Sequence, residues 1–467
     1  MISLPLSEIA QGAGGTVLDA DPATRVSGAA TVDSRAVVPQ GLFVAVKGDH
    51  VDGHDYAAEA VARGAAACLV SRPVGVPAVM VADPVSALVR IASTVRSLLT
   101  GCTVIGVTGS QGKTTTKDLL LQLLSHHGET IAPVGSFNNE IGVPLTLLRA
   151  DAATRYLVLE MGARGAGHIR YLCDIARPHV GAVLNVGLAH VGEFGTVAAT
   201  GRAKSELPEA LPGNGTAVLN LDDPLVAEMA SRTRATVVTY GAHDRADLRL
   251  EALRLTAAGY PSFELSYRGE RVPVTMPLVG EHQAHNGAAA AAVAVAIGMD
   301  LTQVATLLSS VIATSRWRME PHERADGALV LNDAYNANPE STKAALKTLA
   351  ALSRARIGSR TVAVLGEMLE LGSSSDEQHD SIGRLAVRLG ICRLLVVGEG
   401  AGAIHRAACS ETSWVGESVL LPDTDAAIEW LRARVRPSDV VLVKASRAVG
   451  LERVAAALVD DDTVGTS

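Results

Sequence analysis

Residues 104–117 read VIGVTGSQGKTTTK: an apolar run stops at a glycine, a polar pair follows, and a second glycine leads directly into a lysine and three threonines. A buried strand that turns through glycines into a helix aims successive backbone N–H groups, and the positive end of the helix dipole, at one point. That geometry is a cradle for phosphate. The bend comprises Thr108, Gly109, Ser110, Gln111, Gly112, Lys113, Thr114 and Thr115. Lys113 is placed to reach the terminal phosphates of ATP, and the Thr114 hydroxyl to ligate Mg²⁺. The full GxxxxGK[ST] template requires a glycine at 107, where the chain has Val107, so the match is a shortened GxxGKT. An ordinary glycine turn before a capped helix is the alternative; strand, turn, lysine, threonine and amphipathic helix in that order favour the phosphate reading.

Working outward, the 467 residues are too many for one ordinary core, and several domains are expected. The chain is 48% hydrophobic and 3% aromatic, rich in Ala, Val and Gly, as packed α/β domains are. Its 41 basic and 49 acidic residues are intermingled, so it lacks the basic face that nucleic acid demands, and no nucleic-acid partner is expected. The five cysteines are scattered with no CxxC pair, which points to a reducing compartment without disulfides or a thiolate zinc site. MISLPLSEIAQGAGG has neither the basic nor the long apolar region of a secretion signal. The most membrane-like stretch, Gly287–Met299, is far short of the roughly 20 residues of a spanning helix. The expectation is a cytoplasmic protein with no membrane partner, acting as a monomer.

Three blocks are visible, all of α/β type. Residues 1–98 carry short β-like runs (LFVAVKG, AACLV, AVMVAD) and end in the helical pattern SALVRIASTVRSLL. Residues 99–315 alternate strand and helix: VIGVTG, KDLLLQLLSHH, YLVLEMG, GHIRYLCDIA, VGAVLNVG, TAVLNLDD, TVVTYG and an Ala-rich helix after Asn286. Such alternation predicts a mostly parallel sheet. Residues 316–467 repeat the rhythm and predict a smaller doubly wound, Rossmann-like domain. Ligands of open α/β sheets sit beyond the carboxyl ends of the strands. Those ends carry Lys113, Glu160, His190, Asp333, Glu367 and Lys444, few of which would be chosen for packing.

Glu160 and His190, at neighbouring strand ends, could coordinate magnesium, although histidine is an unusual ligand for so hard a cation. Lys204 on its own reads as a surface lysine, and Asn286 as a helix cap or a base contact. The ordered series GVTGSQGKTTTK, SFNNEIGVPLTLL, EMGARGAGHIRYL, VLNVGLAHVGEFG, AKSEL, RWRMEPH, LNDAYNANPESTKAAL, LGEMLELG and VKASR resembles the motif series of the Mur ligase superfamily of peptidoglycan synthesis. The likeness runs from about Asp33 to Arg453. NDAYNANP and DSRAVVPQGLFVAVKGDHVDGHDY most resemble the branch that joins D-alanyl-D-alanine to UDP-N-acetylmuramoyl-tripeptide. The family's phosphate loop is itself the shortened form.

The resemblance implies three domains: a small UDP-binding domain, a central ATPase domain and a Rossmann-like C-terminal domain. It implies that Thr114, Glu160, His190 and Lys204, the last as a carbamate, hold magnesium, with Lys113, Glu160, His190 and Lys204 as the catalytic set. Asn286 would meet adenine, while Arg318 and Asp333 would serve the γ-phosphate and ribose. Ser34, Arg35, Phe43 and Lys47 would grip the uridine diphosphate, Asn138 and Asn139 the muramoyl peptide, and Asn336 and Asn338 the dipeptide. Lys444 and Arg447 would lie near substrate. Gly287, where a larger residue is common, leaves the adenine wall open. A sister ligase adding one amino acid is the nearest rival. A folate–glutamate ligase has no place for the first block, and a mere nucleotide-binding scaffold need not keep all of Lys113, Glu160, His190, Lys204, Arg318 and Asp333.

Overall fold

The structure, a computed structural model, describes residues 1–48, 50–187 and 196–464. His190 lies outside the described residues. Near the N-terminus a five-stranded sheet runs in the order Thr16–Leu18, Ala78–Met80, Ala65–Val70, Gly41–Val44, Ala30–Thr31. It is parallel apart from its first edge strand. The helix Pro84–Leu98 follows, started by Asp83, whose carboxylate accepts from the N–H groups of Val85 and Ser86. Its buried face, Leu88, Ile91 and Val95, shares one apolar core with Val143, Leu147, Ile169 and Leu172 of the next domain. Arg96, buried on that helix, donates to the carbonyls of Ala176 (2.6 Å) and Arg177 (2.9 Å). These are orphan acceptors at the end of the helix His168–Ala176, so the guanidinium caps a neighbouring element and fixes the two domains together.

The central sheet has nine strands in the order Glu270–Thr275, Pro261–Tyr267, Leu248–Leu255, Thr236–Gly241, Thr216–Asn220, Val180–Val183, Thr103–Thr108, Tyr156–Glu160, Thr130–Ile131. The strands from Leu248–Leu255 to Thr130–Ile131 are mutually parallel. The two beyond Leu248–Leu255 are antiparallel, a meander that strand–helix alternation does not foretell. Its signal is local: LRLEALRL alternates apolar and polar residues, as a strand with one wet face does. Thr103–Thr108 lies between Tyr156–Glu160 and Val180–Val183, so successive crossovers leave it in opposite directions. This is a switch point, where a crevice opens at the carboxyl edge. The helix Lys113–Ser125 packs Leu119, Leu120, Leu123 and Leu124 onto the Ala-rich helix His282–Ala296, whose small side chains permit close approach.

The C-terminal sheet runs Glu320–Glu323, Leu329–Asn332, Val440–Lys444, Thr361–Leu365, Arg393–Val397, Glu417–Leu421. It is parallel except for the first strand. Its helix Pro339–Ala355 starts in a capping box between Asn338 and Ser341. Among the described residues no helix is long and apolar enough to cross a membrane.

Candidate active site

The turn after Thr103–Thr108 is held by the strand next to it. Ser110 N–H donates to the Asn185 carbonyl (3.1 Å), Gln111 N–H to Asn185 Oδ1 (3.0 Å), and Gly187 N–H to Ser110 Oγ (2.8 Å). Gly112 has φ +81°, and a Cβ there would stand 2.3 Å from Asn286 Oδ1, so both backbone and space require glycine. Lys113 folds back and donates to the Gly109 carbonyl at 2.8 Å. Burial lowers its pKa, and the nearby Glu160 carboxylate works against that. Thr108 plays no direct part. Its buried hydroxyl donates to the Met161 carbonyl (2.8 Å), stitching two strands together below the turn.

Thr114 Oγ donates to Glu160 Oε2 at 2.9 Å and accepts from Arg318 Nη2 at 2.9 Å. The other Glu160 oxygen accepts from Asn138 Nδ2 (2.9 Å) and Ser136 Oγ (3.2 Å). A buried carboxylate with three hydrogen-bond contacts to its surroundings is oriented as well as charged. Arg318 lies over the Tyr335 ring at 4.2 Å, and its buried Nε has no hydrogen-bond partner among the described residues. Lys204, on the helix Val197–Ala210, is buried, and burial together with the Lys113 charge holds its pKa well below the ordinary lysine value. Its reading as a surface lysine is thereby overturned.

The same cleft is closed from the other side by residues that follow strands of the C-terminal sheet. Asp333 accepts from Lys444 Nζ (2.6 Å) and from Met319 N–H (3.1 Å), and Lys444 also donates to the Asn336 carbonyl (2.9 Å). Lys113, Glu160, Asp333 and Lys444 thus line one space bounded by the carboxyl ends of two sheets. Glu367 does not join them; its carboxylate lies against Gly400. Asn336 is exposed at the cleft, whereas Asn338 spends its side-chain oxygen on the Ser341 N–H. Asn286 faces Gly112 and donates to Gln283 Oε1 at 2.9 Å. Gly287 faces away from the cleft: a Cβ there would meet Met276 Sδ at 2.5 Å, so the helix, not an adenine wall, requires the glycine. Arg447 stacks on Trp317 at 4.1 Å.

The first-domain residues do not converge to the same degree. Phe43 is 1% exposed within a core with Ala57, Ala60 and Cys68, so its ring is a packing element and not a uridine contact. Its strand is buried on both faces, which leaves no side for a ligand. Ser34 is buried, with its hydroxyl 3.4 Å from Glu59 Oε2. Arg35 and Lys47 are exposed, Arg35 forked onto Asp33 at 2.9 Å through both Nε and Nη2. Asn139 accepts from Gly142 N–H (2.9 Å) at the start of the helix Gly142–Leu147. It also lines, with Asn138 and Lys113, a second cavity that reaches Arg164, His168 and Tyr171.

Several cleft residues were given no role of their own by the sequence: Ser136, Tyr335 and Glu370, which lie inside quoted motifs, and His282. His282 is the first residue of the helix His282–Ala296, one turn before Asn286. Its buried Nδ1 has no hydrogen-bond partner among the described residues, and its pKa is lowered to about 4 by burial, with the Asp333 charge opposing. Asn185, which braces the phosphate turn, lies in the quoted run VGAVLNVG, two residues past the strand Val180–Val183. A polar residue directly after a buried strand is the feature that marks it.

A parallel sheet ending in a Gly-Lys-Thr turn, closed by a second α/β domain that delivers an arginine to it, defines an enzyme of nucleoside triphosphates working between two domains. Family models match residues 29–95 (Mur ligase family, catalytic domain), 107–294 (Mur ligase middle domain) and 317–447 (Mur ligase, glutamate ligase domain). The chain is 46% identical to the UDP-N-acetylmuramoyl-tripeptide–D-alanyl-D-alanine ligase of Mycobacterium tuberculosis, across 100% of its own length and 99% of the relative's. It is 35% identical to the ligase of that name from Escherichia coli, across 99% and 100%. Among solved structures, MurF from Acinetobacter baumannii superposes with a TM-score of 0.86 at 30% identity, covering 98% of this chain and 99% of that one. MurF from Thermotoga maritima, in complex with ADP, gives 0.80 at 31%, covering 94% and 99%. The chain belongs to the Mur ligase family.

Proposed function

We propose that this chain joins D-alanyl-D-alanine to UDP-N-acetylmuramoyl-tripeptide, with ATP converted to ADP and phosphate and the UDP-linked pentapeptide as product. The observation that carries the reading is the meeting of Lys113, Thr114 and Glu160 with Arg318 and Asp333 from the other domain in one cleft, in a chain that matches ligases of that name over its whole length. The domains divide at about 98/99 and 315/316.

A carboxylate resists attack by an amine, because its oxygen is a poor leaving group and its charge repels nucleophiles. Transfer of the terminal phosphoryl group of ATP to the tripeptide carboxylate gives an acyl phosphate. The dipeptide amine adds to its carbonyl carbon, the tetrahedral intermediate collapses, and phosphate leaves as the amide forms. The amine loses a proton in the process. Lys113 leaves the Gly109 carbonyl to face the phosphoryl oxygens, and Arg318 supplies a second fixed cation, so developing charge meets donors already in place. Asp333, anchored by Lys444, holds the C-terminal domain's side of the nucleotide and fastens the turn that bears Arg318. Asn286 and the N–H groups of residues 112–115 hold the nucleotide on the opposite wall, while those of Ser110 and Gln111 brace the turn on Asn185. Closing the two sheets on each other keeps water from the acyl phosphate.

Thr114 and Glu160 are adjacent hard oxygen donors in a site that already accommodates the Arg318 charge, a donor set that suits magnesium. The bound ion would supply charge neutralisation on the phosphates. His190 and Lys204, as a carbamate, complete the proposed set; carbon dioxide adds only to a neutral amine, and burial favours that form. In the first domain Arg35, Lys47 and Ser34 are the proposed diphosphate contacts, with Asn138 and Asn139 along the muramoyl peptide and Asn336 at the dipeptide.

The test is mass spectrometry of the muramoyl product with ADP assayed in parallel. Pentapeptide formation and ADP release that require the tripeptide, the dipeptide and ATP together support the reading; ADP release indifferent to both peptides would refute it.

A further inference from the structure

Thr114, Asp118 and Gln122 stand four residues apart on the helix Lys113–Ser125, so they share one face with a step of about 6 Å. Each holds one point of the segment that joins the central and C-terminal domains, in reverse order. Gln122 Nε2 donates to the Ile312 carbonyl (3.0 Å), and Ile312 N–H donates to Gln122 Oε1 (2.9 Å). Ser315 Oγ donates to Asp118 Oδ2 (2.5 Å), and Arg318 Nη2 donates to Thr114 Oγ (2.9 Å). The Ile312 side chain is 67% exposed, so the amide pair, rather than packing, fixes the segment there. Asp118 is itself oriented by buried Lys117, which also donates to the Pro133 carbonyl (2.9 Å) just before Ser136 and Asn138.

The backbone around Arg318 is poor at holding itself. Trp317 (φ +59°) and Met319 (φ +50°) both occupy the left-handed region, which large side chains avoid. Glu320 Oε2 and Asp333 Oδ1 hold their N–H groups at 2.9 and 3.1 Å. Those contacts, with the Tyr335 N–H on the Trp317 carbonyl (3.2 Å), tie the turn to the C-terminal domain and leave its seat on the central domain to the phosphate-loop helix. We propose that Gln122, Asp118 and Ser315 are positioning residues: they seat the linker on the phosphate-loop helix in the register that presents Arg318 at the mouth of the phosphate site. This rests on the proposed use of that site for ATP. Linker register and phosphate grip are then set by one rigid helix.

The test uses the full-length enzyme with Gln122→Ala, Ser315→Ala and Arg318→Ala, singly and combined. Gln122→Ala and Ser315→Ala are expected to lower kcat about tenfold each, with KM for ATP moved less than about twofold and the melting temperature unchanged. Ser315→Thr, which keeps the hydroxyl, restores kcat. In the Arg318→Ala background neither substitution costs anything further, because the residue they position is gone. Equal losses in both backgrounds, or no loss in the parent, would overturn the proposal. A second arm needs no turnover: amide exchange over residues 312–319 of the unliganded protein should quicken about tenfold in Gln122→Ala, and unchanged exchange there also overturns it. An enzyme with no peptide-dependent ADP release would sink the ligase reading, while the exchange arm would still decide this one.

Discussion

The phosphate turn at residues 108–115 and the segment from Ser34 to Lys47 both follow or contain a short buried strand, and both were read as ligand sites. In the first, every polar group but that of Thr108 points at the cleft or braces a group that does. In the second, Phe43 is sealed in the core, Ser34 is buried against Glu59, and of the four candidate contacts only Arg35 and Lys47 reach solvent. The difference lies in what carries the site. A phosphate turn is made of backbone, and backbone geometry follows from glycine positions alone. A uridine grip is made of side chains, whose direction depends on which strand faces are covered.

The comparison is broken most severely at Lys113. Lys113→Ala should lower kcat for pentapeptide formation at least about 10³-fold with the fold intact, as loss of a fixed charge-stabilising group does; retained activity in a stopped ADP assay would remove the turn from the mechanism. Phe43→Ala should behave in the opposite way, costing about 3 to 4 kcal/mol in urea unfolding while leaving KM for the UDP-peptide within about twofold. A large KM effect at preserved stability would return the ring to the binding site.

The third prediction concerns pH. His282 titrates near 4 in the folded protein, below its ordinary value, because burial disfavours the imidazolium. The unfolded chain therefore takes up a proton that the native state refuses, and stability is lost as pH falls from about 6.5 to about 4. After allowance for its partial exposure at the cleft the loss is about 2 kcal/mol. His282→Gln should flatten the difference in urea midpoint between pH 7 and pH 4.5 by that amount; an unchanged slope would place the ring in water. The smallest effect is Arg35→Ala, for which KM for the UDP-peptide should rise about five- to tenfold with no change in melting temperature. An unaltered KM would reduce Arg35 to a surface partner of Asp33.

Much of this was legible from residue order. Strand–helix alternation gave two parallel sheets, and polar residues directly after strands gave Glu160, Asp333 and Lys444. The antiparallel meander at 248–275 was not read, because it breaks the alternation used to find everything else. Asn138 looked like a peptide contact and proves also to hold Glu160, while Asn338 is committed to a helix cap. Single side chains serve whichever neighbour tertiary packing supplies, and that neighbour is distant in sequence. The Arg318–Thr114 pair, 204 residues apart, is such a case.

The central claim is that the tripeptide carboxylate is phosphorylated between the two sheets before the amine arrives. Tripeptide labelled with ¹⁸O in its terminal carboxylate tests it directly. The account predicts one labelled oxygen in the released phosphate for each amide formed, read by mass spectrometry. Phosphate carrying no label, with the pentapeptide formed nonetheless, would contradict it.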